Sequence, residues 1–184
     1  MSRLPELRQE DMSAEQRRIH DEIAAGPRGK VEGPLKVWLH APKLADKAQR
    51  LGAHARYDSA LPPALSELAI LVTAQVWQAD FEWYAHVGPA RAAGIPETVI
   101  EALRSGMEPP LEDEDSQAVY AVSRELHLRR SLSAETYAKA EAALGHRALV
   151  DLVGILGYYT LISMTLNAFD VETPDGSRPF EQAG

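Results

Sequence analysis

Apolar residues in this chain return at three- and four-residue steps, and proline and glycine divide the pattern into helices. The clearest run is Leu65, Leu68, Ala69, Val72 and Val76, opened by Pro62-Pro63. Ahead of it, Ser13-Ala14-Glu15-Gln16 is a capping box, which predicts a helix to about Ala25, where Gly26-Pro27 stops it. Residues 26–37 carry Gly26, Pro27, Gly29, Gly33 and Pro34 and predict a loop, either a plain connection or a flap over a site. Pro42 suits the first position of a helix reaching about Asp58, with Ala45, Ala48, Leu51 or Gly52, and Ala55 as its narrow small-residue face. A further helix is expected from about Asp80 to Ala93, kinked or interrupted at Pro89, which lacks a backbone donor and crowds the preceding turn. Pro96 starts a short helix closed by Gly106.

The second half continues in the same way. Glu108, Glu112, Asp113, Glu114 and Asp115 surround Pro109-Pro110 without the spacing and central glycine of a calcium loop. They predict the negatively charged start of a helix that turns Ala118, Val119, Val122 and Leu126 inward and ends near Arg129-Arg130. Ser133-Ala134-Glu135 caps another helix, stopped by Gly145. From about Arg147 to Phe169 the chain is apolar almost all round, which predicts the most buried helix, with Gly154 and Gly157 admitting a close backbone neighbour. No strand alternation appears. The pattern predicts an all-α single domain over 1–184, with its core over 38–170 and a loose tail over 171–184.

Composition narrows the function. The 184 residues are 45% hydrophobic and 25% charged, as in an ordinary globule. There is no cysteine, which removes disulfides, thiolate metal sites and every cysteine nucleophile, and fits a reducing cytoplasm. Against 27 Asp and Glu stand 19 Lys and Arg, a net charge of −8 with no long basic run, so no nucleic-acid partner is expected. The apolar tract Leu149–Met164 is broken by Asp151, Gly154, Gly157 and two tyrosines and reads as too short and polar to span a bilayer. The N-terminus lacks an apolar signal core. A cytoplasmic protein without a membrane partner is the expectation.

Candidate chemistry gathers in Trp77-Gln78-Ala79-Asp80-Phe81-Glu82-Trp83-Tyr84-Ala85-His86. Glu82 and His86 are four apart and share a helix face. A carboxylate beside an imidazole raises its pKa and orients it, as acid–base work near neutrality requires. The same spacing also occurs on plain solvated faces. Carboxylate-bridged di-metal sites instead place Glu and His three apart and repeat the motif, which this chain does not do, so no metal is expected. One helix earlier, Glu67 interrupts an apolar stretch. It either edges into solvent or faces inward, where His86 is the candidate partner for a buried carboxylate.

Glu67-Leu68-Ala69-Ile70-Leu71, then Glu82-Trp83-Tyr84-Ala85-His86 and Ala90-Arg91-Ala92-Ala93-Gly94-Ile95, resemble the carboxymuconolactone decarboxylase family, which has the alkyl hydroperoxidase D-like (AhpD-like) fold. The core of the resemblance spans about Leu61 to Arg104 and extends to Trp38-Leu39-His40, Tyr158-Tyr159-Thr160 and Leu166-Asn167-Ala168-Phe169. The family's peroxidase branch uses two cysteines ahead of a histidine; their positions fall here on Ala79 and Glu82, so a thiol peroxidase is not expected. The decarboxylase branch carries Glu-x-x-x-His, matched by Glu82 and His86. The resemblance implies an AhpD-like helical bundle, a homo-oligomer (dimer, trimer or hexamer) with its site near a subunit boundary. It further implies a cofactor-free decarboxylase acting on a small carboxylated lactone or related ring acid. His86 would shuttle the proton, Glu82 and Glu67 would partner it, and Trp83, Tyr84 and Trp38 would wall the pocket. Arg56 or Arg91 would hold the substrate carboxylate. The alternatives are another lyase, isomerase or hydrolase on the same scaffold, or a small-molecule-binding oligomer without catalysis.

Overall fold

A computed structural model describes residues 2–181 as an all-helical domain, with no strand among those residues. Helix α1, Ala14–Ala25, begins at the capping box: Ser13 Oγ accepts from Gln16 N while Gln16 Oε1 accepts from Ser13 N at 2.8 Å. Its buried residues, Ile19 and Ile23, face α3, Pro42–Ala53. Between them, part of the expected loop is a short helix, α2, Pro34–Trp38, started by proline and anchored by buried Leu35, Val37 and Trp38. Gly33 precedes it at φ 54°, and a Cβ there would lie 2.5 Å from the Phe81 ring.

Ala45, Ala48 and Gly52 are buried on α3, whereas Leu51 is half exposed, so Gly52 completes the small face. A π-helical turn, His54–Asp58, continues α3 with Ala55 inward. Helix α4, Pro63–Trp77, buries every residue from Leu65 to Ala74. It lies among α5, Asp80–Ala92, α7, Glu114–Arg129, and α8, Ala134–Ala168, with α6, Glu97–Arg104, also against it. This overturns the expectation that the last helix is the most buried. Val150, Val153 and Met164 of α8 are exposed, and a Cβ on Gly154 or Gly157 would meet nothing within 4 Å.

Pro89 does not interrupt α5, which runs on to Ala92; the cost is the one bond that an N–H at position 89 would have given to the Ala85 carbonyl. Asp113 caps α7, its carboxylate accepting from Ser116 N at 2.7 Å. Gly145, at φ 73° and ψ 166°, breaks the regular geometry of α8 where the sequence stops one helix and starts the next. Contrary to the sequence expectation, α8 is long and apolar enough by length and composition to cross a membrane; 56% of that stretch is nevertheless buried in the fold. The tail is extended but docked: Phe180 N donates to Asp80 Oδ1 at 3.0 Å, and its ring meets Trp83 edge-on. Residues 182–184 of the expected loose tail lie outside the described residues.

Gly52 marks the closest approach in the fold. A Cβ there would clash with the Tyr158 hydroxyl and lie 2.5 Å from Arg28 Nη2. Alanine is the better helix former by about 1 kcal/mol. Even so, Gly52→Ala is expected to lower stability by about 1–3 kcal/mol, measured by urea unfolding, because Tyr158 must move from a closely packed position.

Candidate active site

The site begins at the tight turn between α4 and α5. Gln78 adopts a left-handed conformation at φ 50°, and Ala79 N donates back to Ala74 O at 2.9 Å. Asn167 Nδ2 of α8 donates to Trp77 O at 2.7 Å, satisfying one of the open carbonyls at the end of α4. The turn folds α5 back antiparallel to α4, so residues at similar distances from it on the two helices meet. Glu67 lies eleven residues before Gln78 and His86 eight after it. His86 Nδ1 donates to Glu67 Oε2 at 2.7 Å.

Glu82, one turn before His86 on α5, places Oε1 3.1 Å from His86 Nε2. The approach is off-line, and Oε1 makes no aligned hydrogen bond. Glu82 lies in the first turn of α5, where the helix dipole favours negative charge. Glu67, Glu82 and His86 are 9%, 3% and 3% exposed, so the ionic cluster is almost wholly withdrawn from water. Burial pushes the His86 pKa down, but the charge and close approach of Glu82 and the hydrogen bond to Glu67 outweigh it and raise it to about 9. Near neutral pH His86 is therefore an imidazolium between two acidic side chains. Among the described residues, no group of three or more His, Asp or Glu side chains forms a metal-holding cluster.

Aromatic side chains of α8 close the cluster. The Tyr159 ring stands edge-to-face on His86, centroids 5.1 Å apart at 87°. Tyr158 meets Tyr159 at 5.3 Å, and Trp38 meets Tyr158 at 6.1 Å. Trp38 Nε1 donates to Thr165 Oγ1 at 3.0 Å. Burial pushes the Tyr158 hydroxyl up to about 12 and Tyr159 well above the ordinary phenol range, so both remain protonated donors.

Trp38 packs on Tyr158, one ring removed from the Tyr159 that meets His86, whereas Trp83 packs on Phe180 and Tyr84 lies near Phe81 with 38% exposure, so none of the three is itself a ring on His86. Arg91 is committed to Glu97 through two bonds of 2.7 Å at the surface, whereas Arg56 makes no carboxylate pair among the described residues and lies 5.8 Å from the Tyr57 ring centroid. Sequence reasoning placed none of Tyr158, Tyr159 and Arg28 in the site. The signal for the tyrosines was two adjacent phenols on an otherwise apolar helix. A cavity of about 720 Å³ lies between the N-terminal segment and α2, and its lining includes none of Glu67, Glu82 and His86.

The raised His86 pKa has a consequence for stability. A basic group whose pKa is higher folded than unfolded stabilises the fold fully below the unfolded value and loses that contribution as pH rises through the folded one. Measured by urea unfolding, the stability of the wild type relative to His86→Gln is expected to fall between pH 6.5 and about pH 9. A stability difference that stays flat over that interval would contradict the buried imidazolium.

Known proteins match this chain at two levels. The solved structure of an alkylhydroperoxidase AhpD core protein from Ralstonia eutropha JMP134, an uncharacterized peroxidase-related protein, superposes with a TM-score of 0.78 at 14% identity, covering 97% of this chain and 94% of that one. A protein of unknown function from Agrobacterium tumefaciens, provisionally described as an antioxidant defence protein AhpD, gives a TM-score of 0.67 at 14% identity, covering 78% of this chain and 99% of that one. At such identity the likeness establishes the fold alone. No curated protein matches the sequence. The family model described as "Carboxymuconolactone decarboxylase family" matches residues 42–125, from the start of α3 into α7, and so includes the whole Glu67–Glu82–His86 cluster. The chain thus has the AhpD-like fold and, over residues 42–125, is similar to the carboxymuconolactone decarboxylase family, with no cysteine anywhere in its sequence.

Proposed function

We propose that this protein is a cofactor-free acid–base enzyme that decarboxylates a small carboxylated lactone or related ring acid. The observation that carries the reading is the buried Glu67–His86–Glu82 relay, with its 2.7 Å and 3.1 Å contacts. Such a cluster is costly to bury and contributes nothing that apolar packing could not. Its position against the buried, apolar stretch of α4 is consistent with proton transfer. The peroxidase-related description belongs to the structural neighbour; a cysteine sulfenate route has no thiolate to use here.

In the proposed reaction the bond between the ring carbon and the carboxylate breaks and CO₂ leaves. The electron pair moves through the adjacent double bond into the conjugated lactone carbonyl as an enolate. The His86 imidazolium then delivers its proton to carbon, and the ring regains its neutral carbonyl. Glu67 orients the imidazole through Nδ1, and Glu82 stabilises the protonated form and hands on a replacement proton from solvent. An isomerase or hydrolase could use the same relay, and release of CO₂ distinguishes the decarboxylase from both. A homo-oligomer in the cytoplasm is part of the same proposal, supported by the exposed apolar positions Val150, Val153 and Met164 along α8.

Carboxymuconolactone is the substrate to test, with CO₂ release as the readout. His86→Gln is expected to lower kcat by about 10²–10⁴-fold. Because that change also strands two buried carboxylates, the pH profile of Glu67→Gln supplies an independent check. Wild-type kcat/KM should fall above about pH 9, where the imidazolium is lost. Removing the Glu67 charge should move that alkaline limb down by about one pH unit or more. Turnover without CO₂ release would overturn the decarboxylase reading, and an unmoved alkaline limb would remove Glu67 from the relay.

A further inference from the structure

The loop between α1 and α2 brings a cation to the aromatic wall of the site. Arg28 is half buried, and its Nη2 is fully enclosed without an aligned hydrogen-bond acceptor. That atom lies above Gly52, where a Cβ would be 2.5 Å from it and would also strike the Tyr158 hydroxyl. Side-chain-free backbone at Gly52 thus makes the space in which the guanidinium and the phenol meet. Among the described residues, neither Arg28 nor Arg56 has a carboxylate within ion-pair distance, and both act on the Tyr158 phenol. Two arginines without carboxylate partners thus bring positive charge to one buried phenol.

Charge balance gives this arrangement a purpose. His86 is engaged on both ring nitrogens by Glu67 and Glu82, so the cluster offers an incoming anion no free positive charge. Both arginines and Glu82 act electrostatically on Tyr158, and Arg56 and Glu82 act on Tyr159 as well. The phenols therefore join the proton relay to the cationic groups. Resting on the proposed function above, we propose that Arg28 is the carboxylate-binding residue of the site, holding the anionic group of the substrate beside the Tyr158 hydroxyl with Arg56 as the second positive charge. The ligand class is a small planar carboxylate or dicarboxylate. A guanidinium fork and a phenol donor together satisfy a carboxylate's two oxygens, as a lone ammonium does not.

Calorimetric titration with muconate, an unreactive dicarboxylate, tests the assignment without relying on turnover. Wild type should bind muconate saturably and should bind its dimethyl ester at least about tenfold more weakly. Arg28→Met should weaken muconate binding by about 10- to 100-fold, with partial recovery in Arg28→Lys. Should Arg28→Met fail to fold by circular dichroism, Arg28→Lys and the ester comparison decide the matter. Full affinity in a folded Arg28 variant without the positive charge, equal binding of the ester, or no saturable muconate binding by wild type would each overturn the proposal. Turnover of His86→Gln separates the two readings, since it tests the relay alone, whereas the muconate titrations compare wild type with the Arg28 variants. Retained turnover in His86→Gln would defeat the proton relay and leave the Arg28 result standing.

Discussion

Two carboxylates held around one imidazole, out of contact with water, set the terms for the rest of this structure. Neither acid can be buried alone at small cost, and a neutral histidine would leave both uncompensated. The arrangement is stable because the imidazolium carries a proton on each ring nitrogen, Nδ1 facing Glu67 from α4 and Nε2 facing Glu82 from its own helix. The short turn at Gln78-Ala79 brings the two helices together in register. The same contacts keep the imidazole charged well above the pH at which an exposed histidine loses its proton.

The surrounding helices position this cluster in different ways. Helix α4 supplies an enclosure of apolar residues on nearly every side, so Glu67 has few groups to meet besides His86. Helix α8 presents Tyr159 to the imidazole edge-to-face and Tyr158 to the small face of α3. Trp38 then packs on Tyr158 from the short α2. Glycine at position 52 is what lets Tyr158 and Arg28 reach the same point. A local choice of the smallest residue in mid-helix is thus tied to how far a cation can approach the site.

Much of this was legible in the sequence because it is local. The capping box at Ser13, the stop at Gly145 and the helix-start role of the acids around Asp113 all depend on neighbours within a turn. The Glu82–His86 spacing is likewise a one-helix property, and Glu67 stood out as a charge in an apolar run. Tertiary placement was harder to read. Trp83 and Tyr84 adjoin the histidine in sequence, but helical rotation points them elsewhere, whereas Tyr159 reaches it from a helix more than seventy residues away. Arg28 sits in a glycine-rich segment with no periodicity, where pattern carries no information about what a side chain will touch. Burial of the last helix was overestimated for a related reason. Apolar content alone does not distinguish a face covered by the same chain from one left open.

The protonation state of His86 is the most direct test of the account. Proton–nitrogen correlation spectra of protein labelled with ¹⁵N-histidine report both ring nitrogens, and the His86→Gln spectrum identifies the resonances. The account predicts an imidazolium pattern for His86 at neutral pH, with a titration midpoint near pH 9. A neutral single tautomer at pH 7, or a midpoint at or below the ordinary value of 6.5, would contradict it.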